Sequence, residues 1–135
     1  MKIQTLICGV LLLSFAAQAQ TGFAPSATLN KPFILGLSEQ IAVKPSGARV
    51  LFVQVLKDSR CPINAKCITA GDAELQFLFW GPRASKSQMI SLHTMSGKNK
   101  IKLGNLSITL IEVQPGKVAG GMMKTLKYKA KLKFM

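Results

Sequence analysis

No stretch constrains the fold of this chain more than residues 126–134. Leu126, Tyr128, Ala130, Leu132 and Phe134 take alternate positions, and Lys127, Lys129, Lys131 and Lys133 fill the gaps between them. Successive side chains of a β-strand point to opposite faces, so this period predicts a strand with one apolar face turned inward and one lysine face turned to water. No helical 3.6-residue spacing competes with it.

The same period recurs upstream. Over 72–80, Ala73, Leu75, Phe77 and Phe79 share one face, opposite Glu74, Gln76, Leu78 and Trp80. Val50–Lys57 is apolar at Val50, Leu51, Phe52, Val53, Val55 and Leu56, a pattern that predicts a strand covered on both sides. Shorter strands are expected at Phe33–Leu37, Gln40–Val43, Gln88–His93, Lys100–Leu103 and Leu106–Val113. Turns separate them at Lys44-Pro45-Ser46-Gly47, Gly81-Pro82-Arg83, Ser96-Gly97-Lys98-Asn99 and Gly104-Asn105. About eight strands with short connections predict an all-β chain, an antiparallel β-sandwich or partly open barrel. Residues 31–135 are read as its single domain, and residues 20–30, with Gly22 and Pro25, as an irregular lead-in.

The N-terminus reads as an export signal. Lys2 supplies a short basic region, residues 3–17 are largely apolar, and Ala17-Gln18-Ala19 fits the small-x-small cleavage pattern. The apolar stretch is shorter than the roughly 20 residues that span a bilayer. Cleavage after Ala19 removes Cys8 and leaves Cys61 and Cys67, an even number for an oxidising compartment, which predicts one disulfide. That bridge closes a small ring and constrains the unfolded chain by roughly 2 kcal/mol. The spacing is too wide for a redox C-x-x-C pair, and two cysteines with one histidine fall short of a zinc site. A periplasmic or secreted product, without a transmembrane segment after cleavage, is expected.

Around these cysteines, the run Asp-Ser-Arg-Cys-Pro at 58–62, followed by Cys67-Ile68 and Ala70-Gly71, resembles a motif of small exported bacterial proteins, a mostly uncharacterised family. Such proteins often end in a long β-strand, as this chain does. Their motif often carries an aromatic before the Ala-Gly pair, where this chain has Thr69. The resemblance implies export and a β fold; it implies no activity.

Charge narrows the function classes. The chain holds 18 Lys and Arg against 5 Asp and Glu. Loss of Lys2 with the signal leaves about +12, a field that draws anions. The best-defined patch is the lysine row Lys127, Lys129, Lys131 and Lys133, which Lys124 extends. Alternate strand residues lie roughly 6.8 Å apart, so the row is about 20 Å long. The competing explanation is a solvated face: lysines turned to water block aggregation where the strand lies at an edge, and like charges on one strand face need no ligand to explain them. Nucleic acid is the weaker target, because Tyr128 and Phe134 fall on the face away from the lysines and cannot serve as stacking platforms among them.

A second candidate surface is the Pro115–Met123 connection, where Lys117, Val118, Met122 and Met123 could meet a protein partner such as a protease cleft. His93, the sole histidine, is read as a packing or surface residue. The acids Asp58, Asp72 and Glu74 are read as neutralising Arg60 and Lys66. No motif matches a nucleophile elbow, phosphate loop or metal helix, so no catalytic residue, metal or cofactor is expected. The expected function is a non-enzymatic exported binding or structural module of the cell envelope, touching anionic components or another exported protein. The alternative is an inhibitor acting through the Pro115–Met123 loop.

Overall fold

The computed structural model describes residues 25–83, 86–95, 97–115 and 128–135. The signal segment Met1–Ala19 lies outside them. So do Lys117, Val118, Met122 and Met123 of the loop, and Lys124 and Lys127 of the lysine row. Nine strands are present: β1 (Ser26–Thr28), β2 (Pro32–Gly36), β3 (Gln40–Lys44), β4 (Ala48–Asp58), β5 (Ala73–Trp80), β6 (Gln88–His93), β7 (Lys100–Leu103), β8 (Leu106–Gln114) and β9 (Lys129–Phe134). They form a five-stranded sheet, β1-β3-β4-β5-β6, and a four-stranded sheet, β2-β9-β8-β7. The fold is an all-β sandwich, as the alternation predicts, and the described residues include no helix.

Each sheet contributes one apolar face to a single core. From the larger sheet come Val50, Phe52, Leu75, Phe77, Phe79, Ile90 and Leu92; from the smaller, Leu35, Ile108, Leu110, Val113, Ala130, Leu132 and Phe134. Phe52 stacks on Phe77 at 4.9 Å within the first sheet, and Phe79 meets Phe134 across the layers at 6.0 Å. Burial of these side chains is the main driving force, of order 2 kcal/mol for each large one. The Gly104-Asn105 turn closes the β7–β8 hairpin with Leu103 opposite Leu106, and Gly104 takes the positive φ of 63° that such a turn requires.

Four features differ from the sequence reading or go beyond it. Residues 26–28, read as irregular, form β1, which pairs with β3 in parallel through Ala27 opposite Val43. Ala27 is buried, and this one apolar contact is what a Ser-Ala-Thr segment offers no period to reveal. Strand β4 is covered on one side only: Val50 and Phe52 are buried, whereas Leu51 and Val53 are half-exposed and Leu56 is exposed. Third, β9 is no edge strand. It lies between β2 and β8, so its lysines guard no open hydrogen-bonding edge.

The fourth feature is one of register, on which the sequence reading made no statement beyond Leu110. Strict alternation along β8 would follow Leu106, Ile108 and Leu110 with Glu112 facing the core. A bulge at Ile111 shifts the register by one residue, which puts Val113 inside opposite Ala130 and turns Glu112 outward opposite Lys131. Two similar shifts in β4, at Val53 and Leu56, turn Asp58 toward the inner end of the sandwich opposite the buried Ala73.

Candidate functional site: a basic sheet face and the node beneath it

The outer face of the four-stranded sheet is built from residues that alternate with the core. On β9 these are Lys129, Lys131 and Lys133, because Ala130, Leu132 and Phe134 point inward. The register aligns neighbours into rows across the sheet. Lys133 lies opposite Thr109, and Thr109 lies opposite Lys100 on its other side. Lys131 sits between Ile34 and Glu112, and Lys102 lies opposite Ser107. Adjacent strands are about 4.8 Å apart, so Lys100 and Lys133 are separated by roughly 10 Å. Along the strand, Lys129 to Lys133 spans about 14 Å.

Five lysines therefore share one face. Of the chain's five acids, Glu112 is the one in this sheet, and its side chain accepts a hydrogen bond from Gln114 at 3.5 Å. Glu39 sits at the corner, where its Oε2 accepts from the Gly36 amide at 2.7 Å, next to Lys129 in register. A Cβ on Gly36 would meet Glu39 Oε2 at 2.7 Å, so a side chain there would push the end of Glu39 aside and break that hydrogen bond. Thr109 Oγ1 is covered and has no hydrogen-bond partner.

The outer face of the larger sheet is different in kind. Leu51, Leu78 and Met89 form an apolar row, flanked by Arg49, whose guanidinium lies 5.1 Å from the Trp80 ring centre. Gln54 donates to Gln76 at 2.7 Å, and Lys57, Glu74 and His93 make the next row. Charge there is mixed.

At one end of the sandwich, the cysteine loop is fixed by its neighbours. Cys61 and Cys67 are bridged, with Cα atoms 5.9 Å apart. The β4–β5 ladder continues past the strands through Ser59 N to Asp72 O (2.7 Å) and Cys61 N to Ala70 O (2.8 Å). Gly71, at φ 70°, brings the backbone so close to the Ser59 carbonyl that any Cβ would collide with it.

Arg60 grips Asp58 with two hydrogen bonds of 2.8 Å and donates to the carbonyls of Val113 (2.9 Å) and Pro115 (3.0 Å). Tyr128 donates its hydroxyl to Asp58 at 3.0 Å. These contacts tie the described ends of the 115–128 connection to the loop. The Arg60 hydrogen bonds hold the Asp58 carboxyl below its ordinary range against the opposing effect of burial. The Arg60 guanidinium is raised in return by Asp58, and burial together with Asp58 raises the Tyr128 phenol. Beyond this node, Ile63 and Ile68 stand exposed on the loop. A shallow recess of roughly 690 Å³ beside it is lined by Arg60, Cys61, Thr69 and Met95 among others.

His93 has partners that the sequence did not reveal. Burial alone would raise the Asp72 carboxyl. Hydrogen bonds from His93, the Met95 amide and the Thr94 hydroxyl outweigh it, and Asp72 lies below its ordinary range. Being ionised, Asp72 can only accept, so His93 Nδ1–H donates to Asp72 Oδ2 at 2.6 Å. His93 Nε2 lies 3.9 Å from Glu74 Oε1. Asp72 Oδ1 also accepts from Thr94 Oγ1 and the Met95 amide, at 3.1 and 3.0 Å, which ties the start of the β6–β7 connection to the residue before β5. Of the three acids, Asp58 neutralises Arg60 as expected, whereas Asp72 and Glu74 serve His93. Among the described residues, no group of His, Cys, Asp and Glu is arranged to hold a metal ion.

Comparison with family models, with curated proteins and with solved structures finds no match.

Proposed function

We propose that the protein is a non-enzymatic exported binding module that contacts anionic envelope components through the outer face of the four-stranded sheet. One observation carries the reading: the lysine strand β9 is central in its sheet. Lysines on an edge strand would be explained by protection against edge-to-edge pairing, and that explanation does not apply here. Clustered lysines on a face raise the local concentration of polyanions and steer their approach. Asp58, weighed for acid–base work, is taken up by two hydrogen bonds from Arg60, which leaves that carboxylate to hold the loop. Export rests on the Met1–Ala19 signal pattern, the resemblance of the 58–72 motif to small exported bacterial proteins, and a disulfide suited to an oxidising compartment.

The test is binding to heparin, as a generic polyanion, across a salt series. The parent should bind with an affinity that falls steeply as salt rises. Replacing Lys129, Lys131 and Lys133 together by Gln should lower that affinity about tenfold or more with the fold intact by circular dichroism. Equal binding by parent and triple variant would overturn the proposal.

A further inference from the structure

The lysines do not stand alone on their face. Ile34 is 53% exposed and Ile111 48%, and they flank Lys131 from the two neighbouring strands. Ile34 is its register partner on β2. Ile111 is the bulge residue on β8, beside its partner Glu112. Met135, 39% exposed, follows inward-facing Phe134 and exchanges backbone hydrogen bonds with Ser107 of β8 at 2.9 Å. Three aliphatic side chains are thus interleaved with five lysines on one sheet surface.

This mixture distinguishes among anionic partners. An acidic polysaccharide or nucleic acid is met by charge and by flat aromatic rings, and an exposed isoleucine adds nothing to either. The interface of an anionic bilayer takes both features: phosphate groups for the lysines and an acyl boundary for the aliphatic side chains. Lysines at such a boundary lay their methylene stems along the apolar surface and keep the ammonium at the headgroups. Lys131 and Lys133 are only half-exposed, in keeping with stems lying along the sheet.

The bulge at Ile111 bears on the same face. Ile111 faces outward in either register, whereas the shift adds Glu112 to this face opposite Lys131 and sends Val113 inward. The opposite sheet also exposes apolar side chains, Met89 at 49% and Leu56 at 45%, but it has no row of lysines and its Lys57 lies opposite Glu74.

We infer that the anionic component is a lipid bilayer, and that Ile34, Ile111 and Met135 enter its interface while Lys100, Lys102, Lys129, Lys131 and Lys133 engage the headgroup phosphates. This rests on the function proposed above and narrows it.

The experiment compares two probes. One is vesicles of phosphatidylcholine with about one-third phosphatidylglycerol, a composition that supplies the negative surface potential the lysines need. The other is heparin. The double variant Ile34→Ser/Ile111→Ser should lose vesicle affinity by about tenfold or more, in line with the apolar area withdrawn, and keep its heparin affinity. A second readout uses the single tryptophan of the chain, Trp80, which lies on the other sheet. With brominated acyl chains in the vesicles, Trp80 of the parent should stay unquenched, and a tryptophan introduced by Ile111→Trp should be quenched. Vesicle binding unaffected by the serine variant would overturn the inference, as would quenching of Trp80 without quenching at position 111. Heparin binding without any vesicle binding would overturn it too, and would leave the lysine face standing as a site for another polyanion. If heparin binding ignores the triple lysine replacement, the broader proposal fails instead.

Discussion

Arg60 joins two distant parts of the chain through four side-chain hydrogen bonds: two to Asp58, one to the Val113 carbonyl and one to the Pro115 carbonyl. The side chains of this pair are 15% and 5% exposed, so breaking it strands a charge where water reaches poorly. Arg60→Ala should cost on the order of 2–3 kcal/mol and lower Tm by roughly 10 °C, read by thermal unfolding. A pH dependence follows from the same node. Asp58 and Asp72 both ionise more readily folded than unfolded. Their contribution is therefore complete above the unfolded carboxyl pKa of about 3.9, and is lost as pH falls through their lower folded values. Tm measured from pH 6 down to pH 2 should drop over the acid end, and Asp58→Asn should flatten that drop while starting from a lower plateau. At this scale the sequence showed half of the network. Asp58 and Arg60 are two residues apart and of opposite charge, so their pairing was legible. Tyr128 and the Val113 carbonyl come from the other end of the chain, and the partnership of His93 with Asp72 spans a strand pairing that no local spacing displays.

At the scale of elements, strands β2 to β9 were legible because each carries a period of two or a bounding turn with glycine or proline. What alternation cannot reveal is where it breaks. A bulge inserts one residue without a compositional mark, and each one inverts every position after it. Hence the apolar run of β4 reads as covered on both faces, although Val53 and Leu56 sit at shifts in register, and nothing in the composition of β8 marks the outward turn of Glu112 toward Lys131. Strand order was equally hidden: β9 pairs with β2 and β8, an arrangement set by long-range packing. The cysteine loop supports a separate prediction. Its base is held by the Ser59–Asp72 and Cys61–Ala70 hydrogen bonds and by Arg60, independently of the bridge. Cys61→Ser/Cys67→Ser should therefore keep the sandwich, with an unchanged far-ultraviolet circular dichroism spectrum, and lose about 2 kcal/mol in denaturant unfolding. Collapse of the fold on losing the bridge would show that the loop, rather than the sheets, organises the chain.

For the whole molecule, the division between its two outer surfaces is the point from which function follows. One sheet presents Lys100, Lys102, Lys129, Lys131 and Lys133, with exposed Ile34 and Ile111; the other presents an apolar row of Leu51, Leu78 and Met89 beside mixed charge. The lysine period was plain in the sequence. Its meaning was not, because a strand at an edge and a strand at the centre of a sheet carry the same alternation. The contributions of Lys100 and Lys102 from β7, and of the bulge at Ile111, become visible only once the strands are paired. The most direct test of the claim is residue-resolved: amide chemical shifts followed by NMR as heparin is titrated at low salt. Shifts should concentrate at residues 100–102, 107–112 and 129–133 and vanish as salt is raised. Shifts concentrated instead on β4 to β6 or on the cysteine loop, or no shifts at all, would contradict it.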